Sequence, residues 1–386
     1  MEGEPTASTV SVALPRGRSE LVGIVWALAW PVILTYASES LVGLVDTLMV
    51  GRLGAASVAA VGVGAQILSG VNVAMMAVGT GTLALVARHW GAQEHSDAED
   101  TLAQSILTAL TLAIVIIIPV ILYARQIVLA FNVEASVADV GEGFVRRVML
   151  SVPAAAVLFT IANGLRGVGD TRTPLAIGVT VNVINIIGNY VLIFGKLGFP
   201  ALGVVGSATA TATAFTTGAA LGVGLLLSRK LVMRLHRGHV VPRFETIRRV
   251  LTIGYPAALE QLFMQFGFFL YYRFAAHYGT SAVAAYFIGV RITAMSFLPG
   301  FGFAAAAGAL VGQNLGARRP ELAERSGWES TRLAMYMMSA LGLLIVIFAR
   351  PIARVFIDDP EVVNDAVMFI QVLGGAQPLM AIDFTL

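Results

Sequence analysis

Two carboxylates, Glu39 and Asp46, interrupt the apolar stretch ESLVGLVDTLMVGRLG at residues 39–54. Their seven-residue spacing puts them near one face of a helix, about 10 Å apart along its axis. That is too far to share one proton, but near enough to line one pathway. An ionised carboxylate in hydrocarbon is costly, so it must face a cavity, find a partner or take up a proton. The chemistry this pattern supports is a carrier group that loads and releases a small cation as its surroundings alternate. The structural alternative is an acid held by small polar neighbours near a helix end, since Gly51 follows Asp46 by five residues.

Other polar groups sit in equally apolar surroundings. Glu260 and Asp383 are isolated acids. VNVINIIGNY carries Asn182, Asn185 and Asn189, and the last two share a helix face at i, i+4. These amides can hydrogen-bond Asp46 across a bundle, or act as helix–helix glue. Arg291, in VRITAMS, can neutralise an acid or bridge to backbone. Phe263, Phe266, Phe268, Phe269, Tyr271 and Tyr272 give one segment an aromatic face, suited to flat lipophilic molecules or to lipid packing.

Several motifs do not support a reaction. GVGD at 167–170 matches the tetrad of intramembrane aspartyl proteases, but that chemistry needs a second aspartate, and Asp170 lies in the polar turn LRGVGDTRTP. Gly62, Gly64, Gly79 and Gly81 follow no strand and read as helix-packing positions. His89, His95, His236, His239 and His277 form no metal spacing with acids inside a span. With no cysteine in the chain, thiolate metal sites and disulfides are excluded. No nucleophile and base pair up, so an enzyme is not expected.

The elements that must position these groups are membrane helices. Hydrophobic residues make up 57% of the 386 and charged residues 12%, about half the usual charged share of a soluble domain. That composition predicts an all-α polytopic membrane protein. Ten spans are expected, near 21–50, 54–87, 101–123, 140–163, 174–195, 203–228, 249–276, 280–311, 328–349 and 361–386, behind a polar tail at 1–20 with no signal-peptide core. With the N-terminus inside, sixteen Lys and Arg fall in cytoplasmic breaks and seven outside, which favours a cytoplasmic N-terminus. The basic stretch at 229–248 is the expected boundary between a first lobe (21–228) and a second (249–386).

The two lobes align with each other at one constant offset, the one that carries Pro31 onto Pro256. The same offset pairs Gly54 with Gly279, Pro153 with Pro378, and ALVARHWGA (84–92) with ALVGQNLGA (309–317). Six spans per repeat make the copies parallel, with the cavity between them near mid-membrane. The second copy lacks a counterpart of 162–228, so a chain truncated to four helices of its second lobe is expected, ten spans of twelve. The acids do not recur: Asp46 aligns with Tyr271 and Glu39 with Met264. Fold-building residues should repeat, so unrepeated acids point to an asymmetric task.

Pro31, Asp46, Thr47, Gly51, Leu53 and Gly54 together resemble the first helix of the multidrug and toxic compound extrusion family. LRGVGDTRTP, GFPALGVVGSATATA and GYPAALEQLFMQFG are similar to further motifs of that family, the last most like the branch named after DNA-damage-inducible protein F. The resemblance implies twelve helices in two lobes, alternating access, and export of lipophilic, often cationic compounds in exchange for H⁺ or Na⁺. It implies cation coupling at Asp46, with Asn185 and Asn189 at the family's polar positions of the fifth helix, and acids of the second lobe at Glu260 and Asp383; by their own placement Glu39 joins the coupling candidates, and Arg291 and Tyr271 join the second-lobe cavity. Some members have aspartate where this chain has Asn189. No cofactor is implied beyond the coupling ion, and no metal other than Na⁺ near Asp46. The expected partners are membrane lipid and a small organic substrate, without nucleic acid, for a monomer in the plasma membrane. The alternative is a flippase of a lipid-linked precursor with the same architecture, which should need a basic patch for phosphate.

Overall fold

The structure, a computed structural model, describes residues 17–228, 231–235 and 241–385. Most of the polar tail, part of the basic linker with His236 and His239, and Leu386 lie outside the described residues.

Buried in hydrocarbon, an apolar segment must satisfy every backbone group internally, and helices do so. Fourteen helices form among the described residues: α1 (Arg18–Gly51), α2 (Ala55–Gly91), α3 (His95–Leu122), α4 (Ala124–Leu129), α5 (Ala135–Met149), α6 (Val152–Gly167), α7 (Arg172–Phe194), α8 (Val204–Leu227), α9 (Phe244–His277), α10 (Thr280–Gly316), α11 (Pro320–Ile347), α12 (Ala349–Phe356), α13 (Pro360–Gly375) and α14 (Gln377–Thr385). Seven are long and apolar enough to cross a membrane, and nine spans result if each of two bent pairs is one span. The bends are 44° between α5 and α6 and 49° between α13 and α14. Pro153 and Pro378 open the helices after the breaks, where a missing N–H leaves no hydrogen bond unmade. The one expected span left over, 249–276, falls in α9, a continuous helix of 34 residues that does not reach the same apolarity. Within its apolar stretch, 250–272, only Glu260 is charged, but Gln261, Gln265 and the tyrosines 255, 271 and 272 dilute the hydropathy.

The helix boundaries repeat. Shifted by the offset that carries Pro31 onto Pro256, the limits of α2 and α3 become those of α10 and α11. Contacts repeat as well. Gly302 of α10 lies against Ala29 and Ile33 of α1, and Gly254 of α9 lies against Ala77 of α2, the same contact with the two repeats exchanged. Gly91 meets the backbone of Gln313, and Gly316 meets that of Arg88, again counterparts. Gly308 on Leu83 and Gly312 on Ala87 map onto themselves, so α2 and α10 meet at a pseudo-two-fold axis. Only glycine lets the two backbones approach this closely.

These contacts close the bundle at the end where α2 and α10 finish. Cluster packing agrees: Val25, Leu28 and Ala29 of α1 share a core with Phe303, Leu310 and Met338 of α10 and α11. Toward the other end that cover is lost. Glu39, Leu41, Leu44 and Leu48 of α1, and Ala55 to Val58 at the start of α2, are mostly exposed. The outermost contacts described between the halves, Tyr36 with Phe301 and Ser69 with Gln265, lie mid-helix, so the two halves part from a sealed end toward an open one.

Candidate functional site

The open half of α1 meets α7, which begins after the LRGVGDTRTP turn. Asp170 in that turn accepts hydrogen bonds from the backbone N–H (2.9 Å) and hydroxyl (2.6 Å) of Thr173. It caps the first turn of α7 and takes no part in a dyad. Gly195, with φ +66, ends the helix in the left-handed region. Between these ends, Asn182, Asn185 and Asn189 point toward α1 and α8.

Asp46 is half-buried, and its Oδ1 accepts from Asn189 Nδ2 at 2.5 Å. The same Asn189 nitrogen also reaches Asn185 Oδ1 at 3.1 Å, and Asn185 Nδ2 donates to Thr211 Oγ1 of α8 at 3.1 Å. A polar chain thus runs from α1 through α7 to α8. Asn189 is fully buried, yet its Oδ1 has no hydrogen-bond partner among the described residues. An unmatched buried acceptor beside a carboxylate can take a hydrated proton or a small hard cation. Asn182 lies further along, donating to Ser38 Oγ at 3.0 Å.

Glu39 belongs to different surroundings. Its charge interacts with Arg166, whose guanidinium lies 5.7 Å from the centre of the Tyr36 ring. Arg166 is buried in the last turn of α6, not in a solvated break as its place in LRGVGDTRTP implied, and its Nε has no partner. Among the described residues the two acids of α1 therefore share a helix but not a network. Sequence reasoning missed Arg166, and the signal was available: an arginine ahead of two glycines can be carried inward by close packing. Ser38 and Thr211 were missed as well, being small hydroxyls with no pattern of their own.

In the second half, Glu260 and Asp383 lie close enough for their charges to interact, and both are exposed. Arg291 is exposed on α10, and Tyr271 is exposed on α9. Nothing among the described residues joins these four into one network with Asp46. The aromatic face of α9 is mostly exposed, with Phe266 stacked on Phe269 at 6.5 Å and Tyr272 against Tyr286 and Phe287. Of the glycines in α2, Gly64, Gly79 and Gly81 sit against Phe144, Phe159 and Val250, while Gly62 faces open space. His89, Glu94 and Asp97 come together at the α2–α3 turn with ligand atoms within 4.8 Å, and His89 pairs with Glu94 at 2.7 Å. This cluster lies in a turn outside the expected spans, where the spacing of histidines and acids inside a span does not point to it.

Two repeats that seal at one end, part toward the other and carry an acid–amide chain on one wall are the arrangement of a membrane transporter. The MatE family model matches residues 31–191 and 256–386, and the chain belongs to that family. The two matched blocks begin at Pro31 and Pro256, in step with the repeat. The chain is 27% identical over 376 residues to a probable multidrug resistance protein NorM of Thermotoga maritima, covering 97% of this chain and 79% of the relative. It is 28% identical over 348 residues to multidrug resistance protein MdtK of Proteus mirabilis, covering 88% and 74%. Among solved structures it resembles a MOP superfamily transporter from Pyrococcus furiosus, with a TM-score of 0.87 at 23% identity over 99% of this chain and 85% of that one. A multidrug resistance MATE transporter in its outward-facing conformation superimposes with a TM-score of 0.86 at 23% identity, over 99% and 85%. At these identities the structural likeness concerns the fold.

Proposed function

We propose that the protein is a secondary antiporter that exports lipophilic or cationic organic compounds in exchange for H⁺ or Na⁺. The observation that carries this reading is the half-buried Asp46 held by Asn189, whose own oxygen is left unmatched within the open half of the bundle. A cation captured there neutralises the acid and supplies the missing partner of Asn189. Release of that cation when the halves rock the other way would couple its gradient to substrate movement.

In this reading the sealed end faces the cytoplasm of a plasma-membrane protein and the open end faces outward, in line with the Lys and Arg bias. Residues 21–228 and 249–386 act as the moving lobes, joined by the basic linker at 229–248. The aromatic face of α9, with Tyr271, and the acids Glu260 and Asp383 provide the second wall against which an organic cation would rest. Placement in the branch named after DNA-damage-inducible protein F rests on GYPAALEQLFMQFG. A lipid-precursor flippase is not favoured, because the relatives are named for multidrug resistance.

The test is dye export from proteoliposomes under an imposed H⁺ gradient and, separately, an Na⁺ gradient. Export accelerated by one of them is expected. Export indifferent to both gradients would refute antiport.

A further inference from the structure

The sealed end carries charge as well as glycine contacts. Arg18, at the start of α1, grips Glu329 of α11 with two contacts, Nε to Oε1 at 2.9 Å and Nη2 to Oε2 at 3.3 Å. Glu329 is 9% exposed at the side chain and also receives Arg332 of its own helix at 2.7 Å. The pair joins the first repeat to the second. The repeat offset carries Arg18 onto Arg243, at the start of α9. Arg243 Nη1 contacts Asp100 Oδ2 of α3 at 3.1 Å, and Asp100 is 6% exposed at the side chain. Gln104 of α3 is the counterpart of Glu329. It accepts the backbone N–H of Arg243 at 2.9 Å and donates to the carbonyl of Val241 at 2.8 Å.

Each repeat thus sends an arginine from its first helix to a buried acid on the third helix of the other repeat. The acid occupies sites one helical turn apart in the two copies, and i, i+4 positions share a face. Position 325, the counterpart of Asp100, is an arginine, so the two arrangements are not simple copies of one sequence. The chain arrives at the same cross-lobe charge pairing twice, with different residues.

We propose that Arg18–Glu329 and Arg243–Asp100 are paired latches that hold the sealed end shut, so that the closed-to-open equilibrium of this end is set by two ion pairs placed about the pseudo-two-fold axis. Both must break when the end opens, because each spans the two halves. A buried carboxylate that loses its cross-lobe partner must be rehydrated or rely on what remains: Glu329 keeps Arg332, whereas Asp100 already has an oxygen, Oδ1, without a partner. The Arg243 latch is therefore the stiffer of the two. These four residues act through the position of the lobes and need not touch substrate or cation. Their contribution to transport rests on the alternating-access reading above.

The chain has no cysteine, so reporters can be placed without background. Ser96→Cys and Glu321→Cys, exposed counterparts in the first turns of α3 and α11, would carry spin labels across the sealed end of the full chain in lipid nanodiscs. Glu329→Gln and Asp100→Asn should each move the distance distribution toward longer separations. The double variant should change the open-to-closed ratio at least about tenfold, as expected for hydrogen bonds to charged groups. The exchange Arg243→Asp with Asp100→Arg, made at the pair that has no third charged partner among the described contacts, should restore the short distance, which a merely structural role would not do. Arg18→Ala, which leaves Glu329 with Arg332, is the variant to read if the buried substitutions prevent folding. A folded double variant with unchanged distances, or an exchange that fails to restore them, would overturn the latches. Because the readout is a distance, these outcomes are separate from a failure of gradient-driven export.

Discussion

Gly316→Ala should pry the sealed end open. A Cβ built on Gly316 falls on the carbonyl oxygen of Arg88 and 2.9 Å from both the Arg88 carbonyl carbon and the Ala92 nitrogen. All three neighbours are backbone, so no rotamer change can relieve the overlap. α2 and α10 must separate instead, and overpacking of this kind costs about 1–3 kcal/mol. A structure already splayed at this end does not feel the overlap, so the whole penalty falls on the closed state. At about 1.4 kcal/mol per factor of ten, the open-to-closed ratio rises about 5- to 150-fold. Gly91→Ala, its counterpart against the Gln313 backbone, should act with similar strength. Gly267→Ala on α9, where a Cβ meets nothing within 4 Å, should leave the equilibrium unchanged. The Ser96/Glu321 spin-label pair described above reads all three. An unaltered distance distribution in folded Gly316→Ala protein would refute the idea that backbone contact across the axis seals this end.

Further outcomes follow from the site and the fold. Asn189→Ala removes a donor to Asp46 and the unmatched oxygen beside it, and should weaken binding of the coupling cation about 10- to 100-fold. A titration of H⁺ or Na⁺ against the purified protein measures this. Gly195→Ala forces a side chain into φ +66 and against Ala201, 2.7 Å from its nitrogen, at a cost of about 1–2 kcal/mol or more. A lower Tm in detergent is expected, with the cation affinity of the remaining folded protein unchanged. Removing both cross-lobe ion pairs should open the sealed end, as described for Glu329→Gln with Asp100→Asn.

The repeat made much of the architecture legible before any coordinates. The offset itself, with Pro31 on Pro256 and Pro153 on Pro378, was readable, but the breaks at Pro153 and Pro378 were not, since 140–163 and 361–386 read as continuous spans, and the seam glycines stood out only once the helices were packed. Asp46 and its amide partner were legible because a charge and a stripe of asparagines stand out in apolar surroundings. What the linear order concealed was depth. Arg166 sits beside a turn motif and reads as solvated, yet glycine packing carries it inward to Tyr36 and Glu39. Arg18 and Arg243 stand where α1 and α9 begin, where charges are ordinarily solvated, and Asp100 and Glu329 lie within about the first three turns of α3 and α11. Their pairing depends on which third helix each first helix crosses, and that is a property of the assembled halves. The weak apolarity of α9 was masked by its aromatic residues, which read as a span while Glu260, Gln261, Gln265 and three tyrosines counted against one.

The most direct measurement is gradient-driven dye export by Asp46→Asn protein in proteoliposomes, beside the unchanged protein at matched insertion and thermal stability. The amide keeps the shape and a hydrogen-bonding oxygen but cannot carry the charge. Loss of the gradient's effect on export is the predicted result, and export by the variant that still follows the gradient would contradict the account.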